Sequence, residues 1–268
     1  MTIRAILCSA MLSLAMPNLL AWTDSLTVEE KKSAVFLETV SIPTTGEFFA
    51  AIAKESSPAW SDIPKTILPP PSASREQLAL QLGFFIADGY LGTEAQDPQG
   101  VKNTAHDLFY LAKKLNLSQS IQARGQSISD FAKDGAWNSL QEELEATRND
   151  IRLGMQEQKD THLLVFLTAG IWIRGMDIAS HLDAANLKPA VTALLVQPAI
   201  IAHLITRLSG MPEHTLSLSL TQKILQGLNT ALHLTQPYVN APMPETAVQE
   251  FASTMTSLTT IVETPAKP

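Results

Sequence analysis

Gly83-Phe84-Phe85-Ile86-Ala87-Asp88-Gly89 and Gly170-Ile171-Trp172-Ile173-Arg174-Gly175 share one pattern: a glycine, bulky apolar residues, a charge and a second glycine. Both lie in long apolar stretches. Glycine in a helix interior costs about 0.8–1 kcal/mol relative to alanine. Five such glycines, counting Gly92, call for a compensating contact, and close approach of two helix backbones supplies one. The two segments are therefore expected to be a central helix pair. A duplication would also explain the likeness, but the glycine spacings differ by one residue and the flanks do not match.

The charges inside the pair are the first candidate site. Asp88 stands among Phe84, Phe85 and Leu91, and Arg174 follows three apolar turns, so both are expected to be at least half buried. A lone buried charge costs several kcal/mol, which a partner offsets in large part. In a structural reading these two charges pair, with each other or with other neighbours, and fix helix register. In a functional reading Arg174, Asp177 and His181, at i, i+3 and i+7 on one helix face, line a polar ligand pocket. Glu94 and Asp97 form an acid pair at a helix end, where Glu94 joins the candidates and Asp97 is explained as an N-cap.

Outward from the pair the pattern is helical throughout. Thr27-Val28-Glu29-Glu30 is a capping box for a helix to about Val40, and Thr44-Thr45-Gly46-Glu47 opens another with Phe48, Phe49 and Ile52 on one face. From Ser56 to Ser72, Pro58, Pro64 and Pro69-Pro70-Pro71 predict an extended arm, laid over the domain through Trp60, Ile63, Ile67 and Leu68. Ser74 caps a helix to about Gln96, and Asp97-Pro98 starts the next. A short helix follows from Ser127. Trp137, Leu140, Leu144, Thr147, Ile151 and Met155 then mark a narrow seam, with Glu142, Glu145, Arg148, Asp150 and Arg152 on the wet side. Leu163 to Ile173 is an apolar run cut short by Arg174 and Asp177 and reads as a buried core helix, and Pro189 to Ile205, interrupted by Gln197, Pro198 and His203, reads as a kinked core helix. Helices over His214–Thr235 and Glu245–Val262 complete the chain, and Thr264 to Pro268 reads as a flexible tail. No stretch of useful length alternates with period two.

The first residues read as an export signal. Arg4 is a basic n-region, Ala5 to Leu14 an apolar h-region, and Leu19-Leu20-Ala21 a cleavage site before Trp22, so residues 1–21 are assigned as a signal peptide. Cleavage would remove Cys8, the only cysteine among 268 residues, and leave a thiol-free chain whose stability comes from core burial alone. Localisation is therefore expected to be periplasmic or secreted, with no membrane span after cleavage.

Composition narrows the chemistry. A formal net charge of -7 with no basic run argues against nucleic acid as a partner, since such binding depends on Lys and Arg neutralising phosphates. Hydrophobic residues at 45% describe a globular core, and aromatics at 6% are too few for a base- or sugar-stacking surface. Asp177 and His181 could give a metal two ligands, but no His-Glu-x-x-His or histidine cluster adds a third, so neither metal nor cofactor is expected. Gly125-Gln126-Ser127-Ile128-Ser129 lacks the second glycine of a nucleophile elbow.

The reading is an all-α single domain, a bundle of about eight to ten helices with a proline-rich arm. Residues 22–72 form the N-terminal helices and arm, and 73–263 the helical core. The expected function is an exported binding or scaffold protein of the cell envelope, whose partner is a small molecule or an envelope protein. The alternative is a helical hydrolase or lyase using Asp88, Glu94, Arg174, Asp177 and His181 at one interhelical cleft. In the enzyme these five side chains would converge around solvent; in the scaffold they would pair off in a closed core.

Overall fold

A computed structural model describes residues 44–68, 73–117, 121, 124–184 and 188–264. The expected signal peptide, the helix after Thr27, the Pro69–Pro71 run and residues 265–268 lie outside the described residues. Those described are all-α, with ten α-helices of seven residues or more, one additional single turn, and no strand. The elements are α1 (Thr45–Glu55), α2 (Arg75–Glu94), α3 (Pro98–Lys114), α4 (Arg124–Lys133), α5 (Trp137–Glu157), α6 (Thr161–Ala184), α7 (Pro189–Leu195), α8 (Pro198–Ser209), α9 (Glu213–Leu216), α10 (Ser219–Thr235) and α11 (Glu245–Glu263).

Helix α2 against α6 is the most extensive interface. Contacts from Arg75 to Asp160, Gly83 to Gly170 and Asp88 to Arg174 follow the same order on both helices, so the two run parallel. A Cβ added to Gly83 would lie 2.7 Å from the Ile171 amide nitrogen, and one added to Gly170 would run into the Leu80 carbonyl. Backbone meets backbone there, as the glycine pattern predicts. The other three glycines differ. Gly89 faces the Leu144 side chain of α5 and Gly92 faces Val101 of α3, while a Cβ on Gly175 would meet nothing within 4 Å.

Around this pair, α3 and α5 pack on α2, α4 bridges α3 and α5, and α11 packs on α6 with α10 behind it. In α5, Leu140, Leu144, Thr147, Ile151 and Met155 of the expected seam are buried, while Trp137 at its start is half-buried. The side-chain amides of Gln77 and Gln81 donate to the Val262 carbonyl at 2.7 and 3.1 Å, so the start of α2 satisfies the end of α11.

Several boundaries depart from the sequence pattern. Helix α6 continues past its apolar stretch to Ala184, as one face shared by Arg174, Asp177 and His181 requires, and both charges of the first two find partners inside the fold. The most apolar 18-residue window within Thr161–Leu182 is 83% buried and serves as core. The expected kink at Pro198 is a full break. Gln197 leaves helical geometry, Pro198 has no amide to donate, and the Gln197 side chain donates to the Leu194 carbonyl at 2.9 Å. The helix expected from His214 is likewise split, since Ser217 closes a single turn by donating to the His214 carbonyl and α10 starts at Ser219. In the arm, Trp60 opens a 3-10 turn, packs 5.4 Å from the Phe49 ring, and is buried with Ile63. Ile67 and Leu68 face solvent, at 67% and 39% exposure, and do not anchor it. Polar bonds hold that part of the arm instead.

The glycines give opposed expectations. Gly83→Ala and Gly170→Ala should each lower stability by about 2 kcal/mol or more, since overpacking a closed contact costs about 1–3 kcal/mol. Gly175→Ala should raise it by about 0.5–1 kcal/mol through helix propensity alone. Urea unfolding of the three variants checks the contrast, and equal effects would contradict the packing.

Candidate functional site

Burial forces Arg174 to use its whole guanidinium. Nε donates to Asp88 Oδ1 at 2.8 Å, Nη1 donates to Asp177 Oδ2 at 2.7 Å, and Nη2 donates to the Pro64 carbonyl. The three side chains are 2–6% exposed. Desolvation works against the Arg174 charge, but the two carboxylates outweigh it and hold the guanidinium above its ordinary pKa. The second oxygen of Asp88 accepts from the Thr66 amide at 2.7 Å, and Asp177 Oδ1 accepts from the Thr256 hydroxyl at 3.3 Å. Arg174 and Asp88 therefore bind the arm at Pro64 and Thr66, and Asp177 adds α11.

The arm has further polar anchors. Lys65 donates to the Asp97 carboxylate at 2.7 Å, and this bond, with the Gly100 amide, lowers the Asp97 pKa. The Ile67 amide donates to Glu263 Oε1 at 3.1 Å. Burial raises the Glu263 pKa against that bond.

The five sequence candidates thus separate. Asp88, Arg174 and Asp177 meet in a closed core. His181 stands at its edge, 41% exposed, with Nδ1 2.8 Å from the Asp177 carbonyl, which makes Nδ1 the protonated nitrogen. Glu94 lies elsewhere, accepting from Gln141 of α5 at 3.0 Å, with its pKa raised by burial. Among the described residues no three His, Cys, Asp or Glu side chains converge as a metal site would require.

The opposite face of α6 carries an opening. Thr168, Ile171, Trp172, Gly175 and Met176 lie on one side of the helix, roughly 160° round from Arg174, Asp177 and His181 at 100° per residue. They line a small pocket of about 70 Å³ with Thr45 and Phe48 of α1, Arg148 of α5, Gln197, and Ile200 and Leu204 of α8. The missing side chain at Gly175 keeps it open. The break before α8 places Gln197 there, where Oε1 accepts from Trp172 Nε1 at 3.0 Å. Arg148 Nη2 donates to Glu145 Oε1, while Glu145 Oε2 accepts from the buried Tyr90 hydroxyl at 2.8 Å. Burial and the Glu145 charge push the Tyr90 pKa up.

Sequence reasoning missed this pocket. Arg148 and Glu145 stand on the expected wet face of α5, but α1 and the polar end of Tyr90 cover them in part. A readable signal was the small-beside-large pairing of Gly175 with Trp172 on the uncharged face of a core helix.

Two outcomes follow from the charged cluster. Arg174→Met should cost about 3–5 kcal/mol, because it leaves two buried carboxylates uncompensated, and it should speed limited proteolysis within residues 56–68. Glu263→Gln keeps the Oε1 acceptor and removes a carboxylate that burial disfavours. The wild type loses stability relative to this variant as pH rises through the elevated Glu263 pKa, so the variant should be the more stable at pH 7. That advantage should vanish as pH falls below the ordinary value of 4.5. Thermal melts from pH 4 to pH 8 test the sign.

Compared with known proteins, the chain matches no family model, no curated protein and no solved structure.

Proposed function

We propose that this is an exported binding protein of the cell envelope that holds a small molecule in the pocket between α1, α5, α6 and α8. The pocket carries the reading: mostly apolar walls with a few polar groups at fixed positions, set between four helices. Gly175 adds to it. A helix-interior glycine with open space beside it gives up stability without the close contact that justifies Gly83 and Gly170. Room for a ligand is a reason to keep it.

Support for export comes from Arg4, the apolar run Ala5–Leu14 and Leu19-Leu20-Ala21, in the order that secretion signals use. A mature chain without cysteine suits an oxidising compartment, having no thiol to mispair. The competing hydrolase or lyase has less support. Three of its five residues hold one another and the arm, and Glu94 bonds Gln141 instead.

Protein recovered from its native host should begin near Trp22 by N-terminal sequencing. Native mass spectrometry should find a co-purified small molecule that a Gly175→Leu variant loses while its melting temperature is kept. An intact Met1 would overturn export, and a variant retaining the same molecule would overturn the pocket.

A further inference from the structure

Most polar groups of the pocket lining are engaged inside the protein, and that state points to a ligand class. The Thr168 hydroxyl donates to the Leu164 carbonyl at 2.8 Å. The Gln197 side chain donates to the Leu194 carbonyl and accepts from Trp172, so both ends of its amide and the indole N–H are engaged. Thr45 brings a hydroxyl and no charge. Arg148 is the one charged residue of the lining, and it is answered already: Nη2 donates to Glu145, Nε is sealed within the protein, and 34% of the side chain meets water. A pair so placed is screened and adds little for an anion. An ion entering between the apolar walls would lose its hydration with no buried partner to replace it, whereas a neutral group loses far less.

Size narrows the class further. The pocket holds about 70 Å³. That is less than half of the ~150 Å³ of a core cavity that admits benzene. A short branched alkyl group fits such a space and an aromatic ring does not. Gly175 leaves the room for it, since a Cβ there would meet nothing within 4 Å, and Phe48, Ile171, Trp172, Met176 and Leu204 stand among the walls.

We propose that the pocket takes the short branched alkyl end of an uncharged molecule, seated over Gly175. This rests on the pocket's being the binding site. The probes are 3-methylbutan-1-ol, the acid of the same skeleton, 3-methylbutanoate, and benzyl alcohol, each titrated into the full chain labelled at its methionine methyls and followed by NMR. Met176 lines the pocket, whereas Met255 is buried in α11 outside the lining, so a seated probe moves the first resonance and not the second. The branched alcohol should bind about tenfold more tightly than either the acid or benzyl alcohol. Gly175→Leu should abolish the Met176 shift and Gly175→Ala, whose Cβ has room, should weaken it, with circular dichroism confirming that each variant stays folded. Equal or tighter binding of the acid would overturn the uncharged class, and equal binding of benzyl alcohol the size; either result leaves the pocket standing. A Met176 resonance that no probe moves, or one that moves as far in both Gly175 variants as in the wild type, would overturn the pocket as well.

Discussion

The backbone contact between Gly83 and Gly170 sets how closely α2 and α6 can stand, and the rest of the core follows from that distance. With no side chains between them at the crossing, Asp88 and Arg174 come within one hydrogen bond, farther along the same pair. Buried ion pairs are weak sources of net stability but strong determinants of register, because losing one partner leaves the other exposed to its full desolvation cost. Apolar packing joins the two helices. The charges determine which residues face each other.

The same charges tie in the arm. An extended segment rich in proline cannot form a ladder of its own hydrogen bonds, so its buried backbone groups need outside partners. Asp88 supplies an acceptor for the Thr66 amide, and Arg174 a donor for the Pro64 carbonyl. Trp60 and Ile63 bury the apolar part of the arm, and Lys65 on Asp97 fastens its flank. One polar cluster thereby does two jobs, aligning α2 with α6 and covering them.

What the sequence disclosed was whatever depends on local pattern. The paired glycines, the α5 seam and the Ser74 and Asp97 caps were all readable, because helical spacing and capping chemistry act within a few residues. Partnering between distant residues was not. Arg174 and Asp177 look like the lining of a polar pocket until Asp88 and Pro64 are seen to satisfy Arg174, and Gln197-Pro198 looks like a kink until the Gln197 side chain is found capping α7. The pocket was hidden for the same reason. Its walls come from four helices, and its arginine, Arg148, sits on a face that charge pattern alone assigns to water. Among the five candidate residues, spacing on α6 correctly grouped Arg174 with Asp177 and His181, but nothing local could say that Glu94 would bond to Gln141.

The parallel course of α2 and α6 also bears on when the chain can fold. Parallel neighbours cannot be joined by a short turn, and Asp88 and Arg174 are 86 residues apart, with α3, α4 and α5 between them. The Gln77 bond to Val262 spans 185 residues, nearly the whole distance to the C-terminus. Loops of that length must close before the α2–α6 contact gives any return, which slows its formation. The arm is made early and can be captured only late. The central interface therefore waits for α3, α4 and α5 to be made, although those helices can already pack on one another and on α2.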